Sequence, residues 1–398
     1  MPPAPGWADL WQLDPGVAFL NHGSFGACPR AVLLAQQQIR DRMEREPVQF
    51  FVRDLESELD YARGELAAFL GADSAALAFV PNATTGVNTV LGSLRLRAGD
   101  ELLTTNHAYN ACRNALQFVA AKTGAQVTVA EVPFPIRAPD EALEQVMAKV
   151  TSRTRLALLD HVTSPTALVL PLARIVAALN ERGVDALVDG AHAPGMLPLD
   201  LRSIGAAYYT GNCHKWICAP KGAGFLYVRE DRRGDIRPLT ISHGMNATRK
   251  DRSRFRLEFD WTGTDDFSPY LCIPEAIRFL AGLLPGGWPA LIAHNHQLAI
   301  AARNVLCEAL GIPPPAPDEM LGSMAALPIG DGSPEPPTSA LYNDPLQVAL
   351  FERFAVEVPI VPWPRPPKRL IRVSAQIYND LSDYNRLAAA VRQMMAPT

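Results

Sequence analysis

Residues 206–228 read AAYYTGNCHKWICAPKGAGFLYV, in which two short apolar strands flank a segment that holds Lys215 among apolar neighbours. A lysine is rarely buried without a partner. When it is drawn out of water it loses proton affinity and becomes a better amine nucleophile, which imine formation with a carbonyl requires. The stretch therefore predicts a reactive amine at a strand end; the alternative is a surface lysine in an apolar loop.

Similar strands recur on the amino-terminal side of this segment. Between about residues 75 and 230 the apolar runs are ALAFV, ELLTT, QVTVAEV, RLALLDHV, DALVDGA, AAYYTG and GFLYV. Helical patterns separate them, for example ACRNALQFVAAKTG with its terminal glycine. The alternation predicts an α/β domain with a mostly parallel seven-stranded sheet, in which ligands bind outside the carboxyl ends of strands.

The pattern changes after residue 275, where helices such as PEAIRFLAGLL precede the proline-rich stretches GIPPPAPDE and DGSPEPPTSA. We predict an N-terminal segment, 1–30, that associates with a small domain and the mouth of the active site. A large domain follows over 31–275, and a smaller α+β domain over 276–398. The proline-rich stretches are either spacers or a lid over a shared cleft.

The composition excludes several classes of function. The 398 residues are 48% hydrophobic and 20% charged, with a formal net charge of −4, so neither nucleic-acid nor membrane-surface binding has electrostatic support. No apolar run reaches the roughly 18 residues of a membrane span. The start, MPPAPGWADLWQLDPG, does not read as a secretory signal, so we expect a cytoplasmic protein. The six cysteines form no CxxC pair, and no metal site is predicted.

A phosphate seat is predicted at another strand end, in FVPNATTGVN, residues 79–88. Asn82, Thr84 and Thr85 stand at a helix start, where free N–H groups and the helix dipole favour an anion. An ordinary helix cap is the alternative.

A third strand end, LVDGAHAPG at residues 187–195, carries Asp189. A buried acid needs a partner, either a protein cation such as His192 or Arg202, or a ligand cation such as a pyridinium nitrogen. Phosphate seat, acid and amine are together the three anchors that pyridoxal 5'-phosphate (PLP) needs.

Other residues complete such a site. His107 or Tyr109, in TTNHAYN, could lay an aromatic face on the pyridine ring. Arg372, on a later strand, would hold a substrate carboxylate if it faces the cleft. Three hydroxyl residues of HVTSPTALVLP could reach the ring hydroxyl: Thr163, Ser164 and Thr166.

With these residues the sequence resembles the class V aminotransferase superfamily of fold-type I PLP enzymes. LNHGSFGACPR, HVTSPTALVLP, VDGAHAPG and GNCHKWICAPKGAGFL are most similar to its isopenicillin N epimerase group, and the resemblance runs from about residue 20 to 379. It implies a fold-type I architecture whose large domain binds PLP, an amino-acid-type substrate, and a homodimer with the active site at the interface.

The resemblance also implies residue roles. Lys215 matches the lysine that carries the cofactor, Asp189 the partner of the ring nitrogen, and Arg372 the arginine at the substrate carboxylate. The implied cofactor contacts are Ala83, Thr84, Thr85, Asn212 and His214 at the phosphate, Thr264 there from the neighbouring subunit, His192 and Ser164 near the ring hydroxyl, and Tyr109 or His107 stacked on the ring. Asn21 and His22 belong to the substrate-binding wall.

The reaction stays open between several classes. Epimerase or racemase chemistry would use Lys215 as the base at Cα and return a proton on the opposite face, either from a second acid or along a path through water. Tyr109 is the candidate for that acid, and the alternative is that it is only a stacking ring. A C–S lyase, a desulfurase-like elimination or a transamination would begin in the same way, and a cofactor-binding protein without catalysis is a further alternative. A persulfide-forming desulfurase is disfavoured because no cysteine follows Cys307.

Overall fold

The structure is a computed structural model that describes residues 6–335 and 344–395. Within these residues the strands are β1 (Ala18–Phe19), β2 (Leu77–Val80), β3 (Glu101–Thr105), β4 (Gln126–Ala130), β5 (Thr154–Asp160), β6 (Asp185–Gly190), β7 (Tyr208–Asn212), β8 (Gly224–Val228), β9 (Met324–Ile329), β10 (Val356–Glu357), β11 (Ile360–Pro362) and β12 (Arg369–Ser374).

The α-helices of the same residues are α1 (His22–Phe25), α2 (Arg30–Arg45), α3 (Leu55–Leu70), α4 (Ala83–Ser93), α5 (Asn110–Thr123), α6 (Pro139–Met147), α7 (Leu172–Glu181), α8 (Leu201–Ile204), α9 (Arg254–Phe259), α10 (Ser268–Leu271), α11 (Ile273–Ala281), α12 (Gly287–Leu310), α13 (Pro345–Phe354) and α14 (Leu381–Met395). A π-helical turn, Gln49–Asp54, precedes α3. Short 3₁₀ turns cover Trp7–Leu10, Ser74–Ala76, Glu230–Arg232, His243–Asn246 and Asp318–Met320.

A seven-stranded sheet in the order β2-β8-β7-β6-β5-β3-β4 forms the centre of the fold. Only β8 runs antiparallel to its neighbours, so the prediction of a mostly parallel sheet is confirmed. Successive side chains face opposite layers: Leu187 packs with α4 and α5, whereas Val188 packs with α7. Burial on both faces explains why these strands are nearly continuous apolar runs.

The C-terminal part is a smaller α+β unit, as predicted. Its antiparallel sheet has the order β11-β12-β9 and packs against α12. The N-terminal segment joins this part, since Ala18 of β1 pairs in parallel with Val356 of β10. The domain boundaries at residues 30 and 275 stay predictions.

Close backbone approaches fix the strand ends in place. A Cβ on Gly86 would lie 2.1 Å from Thr210 Oγ1, so the glycine lets α4 pack directly on β7. Gly26 has φ +70°, and a Cβ there would lie 2.1 Å from the carbonyl oxygen of His214. The N-terminal segment thus packs on the main chain beside Lys215.

The two proline-rich stretches differ in how much of each the structure describes. The first proline-rich stretch, 311–319, contacts the loop between β4 and α6, where the Ile136 N–H donates to the Pro315 carbonyl at 2.9 Å. The second, 331–340, lies partly outside the described residues. Of the helices in the described part of the chain, none is long and apolar enough to cross a membrane.

Candidate active site

Lys215 follows the end of β7 and meets His192, which follows the end of β6. The Lys215 Nζ lies 3.3 Å from His192 Nε2. Burial, and then the charge of Arg372, lower the pKa of Lys215 to about 7, while Asp189 opposes the change. A large share of the amine is therefore uncharged near neutral pH, as the sequence predicts for a reactive lysine.

His192 is buried and neutral. Burial, followed by the charge of Lys215, holds its pKa well below the usual value for histidine. Its Nδ1 has no hydrogen-bond partner among the described residues. An unpaired buried nitrogen is costly, so this atom suits a polar group of a bound ligand, as expected of a residue near the ring hydroxyl.

Asp189 is buried at the end of β6 and forms no ion pair with any described residue. Its Oδ1 accepts the Ala191 N–H at 3.0 Å, and its Oδ2 accepts the thiol of Cys112 at 3.0 Å. Arg202, one of the alternative partners, instead donates to the carbonyl of Ala72. Within residues 6–335 and 344–395 the partners of the Asp189 carboxylate are the uncharged donors of Ala191 and Cys112, and a ligand cation such as the pyridinium nitrogen fits it.

The start of α4 combines a helix cap with a seat for an anion. Asn82 Oδ1 accepts the Thr85 N–H at 2.9 Å and the Thr85 hydroxyl at 3.1 Å, so the Thr85 side chain belongs to the cap. The Ala83 N–H donates to Asn212 Oδ1 at 2.8 Å, which joins this turn to the end of β7. The Thr84 hydroxyl has no hydrogen bond to any described residue and is the free donor of the turn.

His214 lies beside Lys215 with one ring nitrogen occupied. Its Nδ1 donates to the Ala223 carbonyl at 2.9 Å, and burial lowers its pKa to about 4. Its Nε2 is then an acceptor, and it becomes a phosphate donor only when a bound anion favours the imidazolium.

Thr264 is exposed on the loop between α9 and α10. Its neighbours Thr262 and Asp265 line, together with Thr85, a cavity of about 270 Å³ next to the start of α4. No hydrogen bond joins Thr264 to the strand-end residues of its own chain, among those described. Its predicted contact with the phosphate of the neighbouring subunit stays a prediction.

The two candidates for the stacking position have different surroundings. His107 is buried, with Nδ1 bound to Thr166 Oγ1 at 2.6 Å and Nε2 to the Val132 carbonyl at 2.9 Å, and its ring packs against Trp363. Tyr109 is 46% exposed at the start of α5, and the charges of Asp189 and Arg372 act on its hydroxyl. The ring of Tyr109 is accessible and that of His107 is enclosed, and which of the two stacks on the cofactor stays a prediction.

Arg372 is a buried cation without a counter-ion in the described part of the chain. It is 4% exposed; Nη1 donates to the Ser164 carbonyl at 2.7 Å and to its hydroxyl at 3.1 Å, and Nη2 to Ser24 Oγ at 2.9 Å. Its Nε has no partner there, and burial lowers its pKa to about 10. A substrate carboxylate would supply the missing charge. Ser164, predicted near the ring hydroxyl, thus contacts this arginine.

Asn21 and His22 bond to residues that carry the site, namely Ser24 and the main chain of Lys215. Asn21 binds Glu357 through its amide at 3.1 Å and accepts the Ser24 hydroxyl at 2.5 Å. His22 is fully buried, with Nδ1 at 2.8 Å from the Tyr378 hydroxyl and Nε2 at 3.0 Å from the Lys215 carbonyl. Burial lowers the pKa of His22 to about 3. Both side chains are occupied by protein partners, which favours positioning over the predicted direct contact with substrate.

Sequence reasoning missed the residues that act through these side chains. Ser24 lies inside the quoted LNHGSFG, but nothing in that stretch indicates that its hydroxyl meets Arg372. Cys112 reads as one apolar position of a helix, and Asp160 as the last residue of a strand. The packing of α5 on the sheet brings Cys112 to Asp189, and the pairing of β5 with β6 brings Asp160 there.

A buried amine after β7, a carboxylate at the end of β6 and a helix start that is bonded to the end of β7, on a sheet of this topology, are the features of a PLP-dependent enzyme of fold type I. The model of the Aminotransferase class-V family matches residues 28–387. The chain therefore belongs to the class-V aminotransferase family, and its cofactor is PLP.

Curated relatives include both isomerases and lyases. An isopenicillin N epimerase from Amycolatopsis lactamdurans is 37% identical, covering 98% of this chain and 99% of the relative. A probable chloroplastic L-cysteine desulfhydrase from Arabidopsis thaliana is 30% identical, covering 96% of this chain and 84% of the relative. Among solved structures, a mutant of the cystine C–S lyase C-DES with glycine covalently linked to its PLP cofactor shares the fold. Its TM-score is 0.79 at 22% identity, covering 94% of this chain and 96% of the other.

Proposed function

We propose that this enzyme acts at Cα of an amino acid or amino-acid-containing substrate. The proposed reaction is inversion of configuration at Cα, as in isopenicillin N epimerase. One observation carries the proposal: two proton-bearing side chains, Lys215 and Tyr109, follow the carboxyl ends of the parallel strands β7 and β3, at the edge of the sheet that also carries Asp189. Inversion needs two such groups, because one face of Cα loses a proton and the other regains it. The 37% identity to an isopenicillin N epimerase supports this reaction.

Each residue then has a task. Bound PLP supplies an electron sink that stabilises negative charge at the substrate Cα. Arg372 binds the substrate carboxylate with its two-pronged guanidinium, which Ser24 and Ser164 orient. Lys215, with a pKa of about 7, accepts the Cα proton on its own face. Burial raises the pKa of Tyr109, so its phenol stays protonated and donates to the opposite face.

The remaining anchors hold the cofactor in the orientation that these steps need. When PLP is bound, Asp189 would hold the positively charged ring nitrogen, and the unpaired Nδ1 of His192 would meet the ring hydroxyl. Ala83, Thr84 and Asn212 would hold the phosphate at the start of α4, where the Ala83 N–H already donates to Asn212 Oδ1 and the Thr84 hydroxyl is free among the described residues. Because α4 packs on β7, the phosphate seat and the amine keep a fixed separation.

Elimination of a β-substituent from a cysteine-type substrate is the second candidate. It is favoured by the 30% identity to a probable L-cysteine desulfhydrase. Lys215 would remove the same proton, but Tyr109 would not be needed as an acid at Cα. Sulfur transfer through a cysteine persulfide has no support, since all six cysteines are buried and none follows Cys307. Transamination would instead return the proton to the cofactor.

The test is an exchange experiment with the holoenzyme in deuterium oxide. A panel of L- and D-amino acids and short peptides is followed for deuterium at Cα, for configuration, and for keto acid, pyruvate and sulfide. Deuterium in both configurations supports epimerisation; pyruvate with sulfide supports the lyase; retained configuration with a keto product supports transamination. If no substrate exchanges and added PLP gives no visible absorbance band, the proposal is wrong.

Tyr109→Phe separates the first two reactions. For an epimerase we expect inversion to fall by about 100-fold, while exchange with retained configuration persists because Lys215 is intact. Tyr61→Phe is the matched control, since Tyr61 is an exposed tyrosine of α3. Equal loss of exchange and inversion in Tyr109→Phe would contradict its role as the second acid.

We also propose a homodimer with Thr264 completing the neighbouring phosphate site. In a mixture of Lys215→Ala and Thr264→Ala subunits, each heterodimer would contain one intact site. Activity above that of either variant alone supports the arrangement, whereas unchanged activity would contradict it. The cytoplasmic location stays a prediction.

A further inference from the structure

The thiol of Cys112 lies behind the acid of the site. Cys112 is 1% exposed in α5, and its Sγ donates to Asp189 Oδ2 at 3.0 Å. A buried cysteine usually serves as a small apolar side chain. Here it gives one carboxylate oxygen a fixed donor, while the Ala191 N–H serves the other.

A second buried acid stands beside this pair. Asp160 of β5 is in register with Asp189 of β6, and the two are 5% and 4% exposed. Neighbouring buried carboxyls cannot both ionise easily. Burial, and then the charge of Asp189, keep the pKa of Asp160 well above its usual range, while a hydrogen bond from the Tyr109 N–H acts in the opposite direction. Asp160 is therefore the protonated member of the pair.

We propose that Cys112 is a positioning residue: its S–H bond fixes the orientation of Asp189 and keeps the single negative charge of the acid pair on Asp189 rather than on Asp160. The inference rests on the proposed function, in which Asp189 faces the cofactor ring nitrogen. Without the thiol, the negative charge would be shared between Asp160 and Asp189. The contact of Asp189 with the ring nitrogen would then be weaker.

The Cys112 thiol can donate its hydrogen bond to Asp189 at any pH near neutrality. Burial, and then the charge of Asp189, raise the pKa of its thiol far above the usual value, so the proton stays on sulfur. The titratable groups whose charges couple to Asp189 are Cys112, Asp160, Lys215, Tyr109 and Tyr209. Among described residues, only Cys112 of this set donates a hydrogen bond to Asp189.

The test compares Cys112→Ala, Cys112→Ser and the control Cys307→Ala, which removes a similarly buried thiol from α12. Titration of each apo-protein with PLP gives the dissociation constant. We expect Cys112→Ala to weaken PLP binding about fivefold, and Cys112→Ser, which restores a donor, to stay within about twofold of wild type. Cys307→Ala should bind as wild type.

A second readout uses the apo-protein without cofactor. The infrared C=O band of a buried protonated carboxyl should vanish in Asp160→Asn and shift in Cys112→Ala, where the proton divides between the two acids, but not in Cys112→Ser. Unchanged PLP binding and an unchanged band in Cys112→Ala would overturn the inference. Equal weakening in Cys112→Ala and Cys112→Ser would indicate packing alone and would also overturn it. Failure of wild type to bind PLP would instead refute the proposed function.

Discussion

Arg372 should set the pH at which Lys215 captures the cofactor. The pKa of Lys215 falls from 10.5 to about 7, with burial as the first cause and the Arg372 charge as the second. Arg372→Met removes that charge while keeping an unbranched apolar side chain. We expect the Lys215 pKa to rise by about one pH unit, equivalent to ~1.4 kcal/mol, because burial remains and only the like charge is lost.

The assay is the rate at which apo-protein captures PLP, followed by the visible absorbance of the bound cofactor over a pH series on both sides of neutrality. Only the uncharged amine reacts, so the rate of wild type should rise with pH through a midpoint near 7. The Arg372→Met midpoint should lie about one pH unit higher. Arg372→Lys retains the charge and should keep the wild-type midpoint. Titration of PLP itself is common to all three proteins and cancels in the comparison.

Two results would refute this reasoning. One is a midpoint for Arg372→Met at or below that of wild type. The other is an equal upward change in Arg372→Lys, which would assign the effect to lost packing around Ser24 and Ser164 instead of lost charge.

Other consequences can be measured on the apo-protein or by kinetics. The pKa of Lys215 is lower in the folded chain than in the unfolded chain, so between about 7 and 10.5 the unfolded state binds more protons and stability rises with pH. Lys215→Met should therefore stabilise the apo-protein by roughly 1–3 kcal/mol at neutral pH in denaturant unfolding, and the gain should shrink towards pH 10.5; a gain that is constant with pH would contradict the sign. Gly26→Ala forces a Cβ to within 2.1 Å of the His214 carbonyl at a positive φ, and should cost about 3 kcal/mol or more in the same measurement. Ser24→Ala removes an acceptor from Arg372, so KM for a carboxylate substrate should rise about threefold to tenfold with kcat little changed; a loss confined to kcat would count against it.

The central sheet could be predicted almost strand by strand, because its strands other than the edge strand β4 are buried on both faces and read as apolar runs. ELLTT and GFLYV have the bounds of β3 and β8, and the glycine that ends ACRNALQFVAAKTG is the left-handed C-cap of α5. The pairing of β1 with β10 could not be predicted, since strands of two residues carry no period and their partners lie far apart in the sequence.

The candidate site was predictable where chemistry demands a residue type at a strand end, as for Lys215 and Asp189. It was not predictable where a side chain works through a neighbour. His22 reads as one polar residue in a conspicuous motif, yet both of its ring nitrogens are taken by the protein. The hydroxyl of Ser164 could have faced the ring or the arginine, and only the position of β12 decides between them.

The contacts of His22 have a consequence for the order in which the chain acquires its activity. This side chain joins Tyr378, 356 positions away, to the main chain of Lys215, 193 positions away. A nascent polypeptide can complete its central sheet on the ribosome, since amino-terminal portions fold first. The contact of His22 with Tyr378 forms only after β12 and the residues that follow it have been synthesised. The contacts behind Lys215 are therefore complete only when segments near both ends of the described chain have come together.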